Sequence, residues 1–219
     1  MTTTEIITRL LRFLFYRVVV RLVVLVVLGL NVRHRERLPS KGPAIVVANH
    51  NSHLDTMVLI TLLPARLLSR VRPVAAADYF LVTAGKAWFA LNIVGILPIK
   101  RQRDTPDEDL LSPCYQALEA GQVLIFFPEG SRGAPEKLAE FKGGIAKLAE
   151  RFPDVPVTPI LLHGLGKALP KGERLLVPFF CDVFVGEALF GSADRQAFMN
   201  RLEARMAALS QEGAFPLWS

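Results

Sequence analysis

Apolar positions along this chain follow two regimes. From Leu10 to Leu30 every residue is apolar, aromatic or glycine except Arg12, Arg17 and Arg21. Beyond Pro39-Ser40-Lys41-Gly42-Pro43 the apolar stretches become short and β-rich and alternate with helical spacing. That spacing predicts strands near Ala44–Ala48, Pro73–Ala77, Gly95–Ile99, Val123–Phe127, Val157–Leu162 and Leu175–Phe184. It predicts helices over Ser52–Leu63, Tyr79–Leu91, Asp107–Ala120, Phe141–Arg151 and Ala193–Leu209. Ile45-Val46-Val47-Ala48 and Val123-Leu124-Ile125-Phe126-Phe127 are apolar without alternation, as strands covered on both faces must be. The expectation is a single α/β domain over residues 39–219, with a mainly parallel central sheet flanked by helices and functional residues at strand ends.

Residues 1–38 read as a separate membrane-associating helix. As a helix, Leu10–Leu30 would be roughly 31 Å long, enough to match a bilayer core. Arginine near the midplane costs about 2.5–3.5 kcal/mol, however, and Arg17 and Arg21 fall there, so simple spanning is disfavoured. On a helical wheel Arg9, Arg12, Arg17 and Arg21 share one half, while Leu11, Phe15, Val18, Leu22 and Leu25 line the other. This predicts an amphipathic helix lying in the interface, its arginines snorkelling to phosphates and Leu22–Leu30 reaching deeper.

Charge sharpens that picture. The net charge of +6 is carried entirely by residues 1–41, which hold eight basic side chains against Glu5 and Glu36. Cations mixed with apolar residues favour an anionic membrane surface over nucleic acid as partner. Asn31-Val32-Arg33-His34-Arg35 follows the apolar run where a cleaved signal would need small residues. Cys114 and Cys181 lack CxxC spacing and read as reduced packing residues of a protein on the cytoplasmic face, peripheral or monotopic on its membrane, the inner membrane if bacterial.

The candidate chemistry lies in loops after predicted strands. The first reads Asn49-His50-Asn51-Ser52-His53-Leu54-Asp55. On one continuous helix His50 and Asp55 would sit about 140° apart and could not pair. With His50 in the turn and Ser52 capping the helix, the Asp55 carboxylate faces back toward the imidazole, a dyad able to take a hydroxyl proton. Two other readings fit the same residues: Ser52-x-x-Asp55 as a helix cap beside a loop histidine, and His50, His53 and Asp55 as metal ligands, although no further cluster completes such a set. The third strand runs through Gly95, whose missing side chain permits close approach, into Lys100 and Arg101, the latter suited to gripping a phosphate. The fourth ends in Phe127-Pro128-Glu129-Gly130-Ser131-Arg132-Gly133, a glycine-flanked polar turn.

These segments, with Val155-Pro156-Val157-Thr158-Pro159, resemble in order and spacing the blocks of the glycerolipid acyltransferase family that includes 1-acyl-glycerol-3-phosphate acyltransferase. N-H-x-S-x-x-D is matched at Asn49, His50, Ser52 and Asp55, and G-x-x-x-I-x-R at Gly95, Ile99 and Arg101. F-P-E-G-T-R-S is matched at Phe127, Pro128, Glu129, Gly130 and Arg132, with Ser131 for the threonine and Gly133 for the serine. Lys142-Gly143 also looks like the family, whereas Gly166–Glu173 matches no block. The resemblance implies a membrane O-acyltransferase of phospholipid biosynthesis, with His50 as base and Asp55 as its partner. It implies acceptor contacts from Arg101, Glu129, Gly130, Ser131, Arg132 and Lys142, supported by Asn49, Ser52 and Gly95. The donor would be acyl-CoA or acyl-carrier protein as co-substrate, the acceptor a lysophosphatidate-like lysolipid, with no cofactor, metal or nucleic acid. The competing readings are a metal-dependent hydrolase and a non-catalytic membrane adaptor on the same fold.

Overall fold

The structure is a computed structural model that describes residues 3–26, 28–133, 138–169 and 177–213. In chain order its elements are α1 (Thr3–Leu14), a π-helical turn (Phe15–Val20), α2 (Arg21–Val26), β1 (Leu28–Arg33), β2 (Ala44–Ala48), α3 (Leu54–Leu62) and β3 (Val71–Ala76). There follow α4 (Ala77–Phe80), α5 (Ala84–Trp88), a second π-helical turn (Phe89–Val94), β4 (Leu97–Ile99), α6 (Ser112–Glu119) and β5 (Val123–Phe126). The chain continues through α7 (Gly144–Arg151), β6 (Val157–His163), α8 (Leu165–Ala168), β7 (Phe179–Val185) and α9 (Arg195–Glu212).

One seven-stranded sheet in the order β1-β7-β6-β2-β5-β3-β4 organises these elements. β6, β2, β5, β3 and β4 are parallel; β7 pairs antiparallel with β6, and β1 parallel with β7, so two strands at one edge run the other way. The expected α/β domain with a mainly parallel sheet is therefore present. β2 and β5 are buried along their whole length because both faces are covered. Ala44, Val46 and Ala48 pack toward α3, Tyr16 and Leu28, while Ile45 and Val47 pack toward α6, α7 and α9. Both cysteines are buried and unbridged, and burial pushes the Cys114 thiol up to about 12, which keeps it protonated and inert at neutral pH. The first residues of the expected strand from Leu175, and part of Gly166–Glu173, lie outside the described residues.

Three expectations need correction, two of them at the N-terminus. First, no single helix runs to residue 38: Leu28–Arg33 is a strand in register with Phe179–Phe184, so Leu28–Leu30 belong to the sheet instead of the helix, and the sheet begins before residue 39. Second, Arg12 is buried, and its guanidinium donates to the Val71 carbonyl at 3.0 Å and the Val94 carbonyl at 3.2 Å. The helical face turned to the protein is the line Arg12, Tyr16, Val20 and Val24, at steps of four. On a regular α-helix such steps drift about 40° each, and the wider winding of the π-helical turn offsets that drift. The side chain of Leu25 is outside the described residues, whereas Leu11, Val18 and Leu22 are exposed as expected. Third, the expected Tyr79–Leu91 helix is broken into α4, α5 and the π-helical turn, with Thr83 capping α5 through Lys86 N–H. Among the described residues no helix is long and apolar enough to cross a membrane.

Candidate active site

The buried strand β2 delivers the chain to the site, and Asn49 fixes its exit. The Asn49 amide donates to the Leu162 carbonyl at 2.9 Å and accepts from Leu162 N–H at 2.8 Å, extending the β2–β6 ladder by one side chain. The chain then turns tightly, and α3 starts at Leu54, two residues after the expected cap. Ser52 Oγ donates to the Leu169 carbonyl at 2.9 Å and accepts from Leu54 N–H at 3.3 Å, so its hydroxyl ties the turn to the segment after α8.

Asp55 is fully buried, and a single oxygen, Oδ2, takes His50 Nδ1 at 2.9 Å, Asn51 N–H at 2.7 Å and Ser52 N–H at 2.8 Å. Helix capping and the histidine pair are thus one arrangement: the two backbone donors that would otherwise be orphaned hold the carboxylate where it meets the imidazole. A carboxylate acceptor at Nδ1 assigns the ring proton there and leaves Nε2 as the basic nitrogen. Burial pushes the Asp55 carboxyl above its ordinary range, opposed by the His50 and backbone hydrogen bonds.

The loop after β5 closes over the same histidine. The Phe127 ring stacks on His50 with centroids 4.1 Å apart and planes 20° from parallel, fixing the imidazole's face. Gly133 N–H donates to the His50 carbonyl at 2.9 Å. Glu129 departs from the expected acceptor contact: it is buried, and its Oε1 accepts from the His50 backbone N–H at 3.1 Å. An anionic group facing a phosphate would be repelled; turned inward, it braces the backbone that carries the imidazole. Burial, with Asp55 adding repulsion, raises the Glu129 carboxyl to about 7. Gly130 adopts a left-handed conformation (φ 73°) and its Cα faces the Lys142 side chain; a Cβ there would lie 2.8 Å from Lys142 Nζ. Lys142 and Ser131 are exposed beside this turn.

Cations lie past the ends of β3 and β4. Arg101 is exposed and ion-paired at 3.2 Å with Asp78. The next residue, Tyr79, brings its hydroxyl to 3.4 Å from His53 Nε2 and carries Lys86 Nζ 3.8 Å above its ring. Burial first, then the charges of Arg132, His50 and Lys86, hold the His53 imidazole down at about 4, so it is neutral at physiological pH. Lys100 turns away to Asp104 and Glu108. His53 meets Tyr79, not the His50–Asp55 pair, so the three potential metal ligands do not converge. Gly95 also lies elsewhere: its φ of 75° and its bare Cα admit the Arg12 guanidinium, which a Cβ would approach to 2.5 Å. Its role is to seat the N-terminal helix, not to approach a phosphate. The stacking of Phe127 on His50, the inward turn of Glu129 and the Tyr79–Lys86 contact were not singled out from sequence, where Phe127 stood only as a motif match. An aromatic ending an apolar strand next to a candidate base was the available signal for the first.

A family model described as Acyltransferase matches residues 29–163. The chain is 31% identical over 159 residues to a chloroplastic 1-acyl-sn-glycerol-3-phosphate acyltransferase of Brassica napus, covering 72% of this chain and 44% of that protein. It is 32% identical over 155 residues to the human 1-acyl-sn-glycerol-3-phosphate acyltransferase alpha, covering 70% and 52%. The matched stretch is thus about half the length of these curated relatives. Among solved structures, the fold is like that of PlsC, the 1-acyl-sn-glycerophosphate acyltransferase of Thermotoga maritima, with a TM-score of 0.75 at 21% identity, covering 100% of this chain and 86% of that one.

Proposed function

The chain belongs to the acyltransferase family, and we propose that it transfers a fatty acyl group from acyl-CoA or acyl-carrier protein to the free hydroxyl of 1-acyl-sn-glycerol-3-phosphate or a related lysolipid. The observation that carries this reading is the His50 Nδ1–Asp55 Oδ2 hydrogen bond of 2.9 Å inside a turn fixed by two further backbone bonds. It leaves Nε2 to act as the general base, without a protein nucleophile. The acceptor hydroxyl gives its proton to Nε2 as its oxygen forms the bond to the thioester carbonyl carbon. The carbon–sulfur bond then breaks, and the departing thiolate takes the proton from the imidazolium. A thiol has a pKa near 8.5 and leaves readily, so activating the hydroxyl is the demanding step. The reaction so written balances without a cofactor.

Arg101, Arg132 and Lys142 supply positive charge for the acceptor's phosphate, with Arg101 exchanging Asp78 for the ligand; Gly130 and Ser131 shape the turn beside it, and Glu129 holds His50 in place. The reading puts the enzyme on the cytoplasmic face of an anionic membrane, as a peripheral or monotopic protein. Exposed Ile6, Leu10, Phe13, Leu14 and Val18 with Arg9, Arg17 and Arg21 support it. The test is thiol release from a long-chain acyl-CoA, and from acyl-carrier protein, by wild type and His50→Ala over a panel of lysolipids, with mass detection of product. Diacyl product from wild type alone is expected. Equal product from both proteins, or none with either donor, overturns the proposal.

A further inference from the structure

A second element beside the N-terminal helix exposes apolar side chains that a folded protein normally covers. Leu81, Val82, Trp88, Phe89 and Leu91 are all exposed, Val82 at 68% and Trp88 at 49%. They lie on α5 and its flanking segments, of which the second π-helical turn packs against both α1 and α5. Phe15 meets Phe89 edge-on with centroids 5.5 Å apart. The Arg12 guanidinium binds the Val94 carbonyl at the end of the same segment and the Val71 carbonyl at the start of β3, where Gly95 leaves room for it. A buried cation bonded to two carbonyls fastens α1 to the second π-helical turn, which in turn packs on α5 and so sets the exposed apolar side chains of residues 81–91 beside α1.

We propose that Leu81–Leu91 is a second lipid-inserting element, held by Arg12 so that it and α1 enter the same anionic bilayer surface. This rests on the reading that α1 meets such a surface and extends it to a segment that is not N-terminal. The occupant follows from the charges of Arg9, Arg17 and Arg21, which accompany α1 and its continuation, whereas the Lys86 ammonium is turned to the Tyr79 carbonyl at 2.7 Å. A bilayer answers them with phosphates, whereas a second copy docking face to face would set these cations against themselves. Trp88 suits the boundary between headgroups and chains. The element begins two residues after Tyr79, which touches His53 at the rim of the site, so its insertion sets the acceptor-binding edge at the level where a lysolipid headgroup lies.

Trp88 reports on the idea directly, since the chain has two tryptophans and Trp218→Phe leaves it as the sole indole. The full chain carrying that substitution is mixed with phosphatidylcholine–phosphatidylglycerol vesicles, with or without acyl-chain-brominated lipid, and sedimented in parallel. Blue-shifted Trp88 emission quenched at least twofold by brominated lipid is expected, and adding Val82→Asp should weaken partitioning about tenfold. Sedimentation without quenching overturns the second element while leaving α1 as anchor. No sedimentation overturns both readings. A lipid-free dimer that Val82→Asp converts to monomer assigns the surface to a second copy and also overturns the proposal.

Discussion

Replacing Asp55 by Asn separates the two jobs of one carboxylate. The Asn carbonyl can still accept from Asn51 N–H and Ser52 N–H, which lie 2.7 and 2.8 Å from Oδ2, so the turn persists. The same carbonyl oxygen also meets His50 Nδ1–H, because Oδ2 serves all three donors, and the amide nitrogen takes the place of Oδ1; what the substitution removes is the negative charge. A neutral acceptor at Nδ1 forfeits the charge assistance of a hydrogen bond worth about 1.5–3 kcal/mol. The imidazolium formed during transfer also loses its counter-ion, worth about 4 kcal/mol for charges ~4 Å apart at an effective dielectric near 20. These overlap, so the barrier should rise by about 3–6 kcal/mol, a fall in kcat of roughly 10²–10⁴-fold. The assay is kcat for thiol release at saturating donor and acceptor, beside thermal unfolding to show that the fold is kept. A kcat within threefold of wild type would refute the dyad.

Glu129→Gln should preserve the acceptor for His50 N–H but remove a titration. The folded carboxyl is raised to about 7, so its stabilising protonation is full below the unfolded value near 4.5 and is lost as pH rises through 7. The melting temperature of the variant relative to wild type should therefore be higher at pH 8 than at pH 5, and a pH-independent difference would contradict the inward placement. Gly95→Ala must place a Cβ 2.5 Å from the Arg12 guanidinium at φ 75°, and should cost about 2–4 kcal/mol in denaturant unfolding. Arg12→Met in the same background should add little to that loss, because both changes break one fastening; additive losses would show two independent effects. Arg101→Ala should raise KM about tenfold for phosphate-bearing lysolipids alone, and equal losses with phosphate-free acceptors would remove its assigned contact.

Much of the sheet was legible because burial on both faces leaves a mark that needs no partner to be recognised. Ala44–Ala48 and Val123–Phe126 are apolar without alternation, and they became the central strands. β1 was missed for the opposite reason. Leu28, Leu30 and Val32 do alternate with exposed Gly29, Asn31 and Arg33, but that period of two begins directly after an apolar helix, and edge pairing with Phe179–Phe184 is a long-range fact. Arg12 misled for a related reason: a helical wheel sorts side chains by polarity, whereas the two carbonyls that accept its guanidinium lie 59 and 82 residues away in sequence. Polarity predicts exposure only where no distant acceptor is waiting.

The site shows the same division between local and distant causes. The turn from His50 to Asp55 is made by neighbours, so a capping pattern and a dyad pattern could both be read from seven residues; the structure makes them one object, since Oδ2 serves all three donors. Glu129 and Gly95 stand inside family motifs, yet each serves another part of the protein, one the His50 backbone and one Arg12. A motif residue can therefore be required for what it holds, not for what it touches. In this chain the two holding residues sit on different sides of the catalytic question: Glu129 sets where the base is, and Gly95 sets where the N-terminal helix is. Loss of Glu129 should then appear in kcat, and loss of Gly95 in stability and membrane partitioning, a separation that follows from where each side chain or missing side chain points.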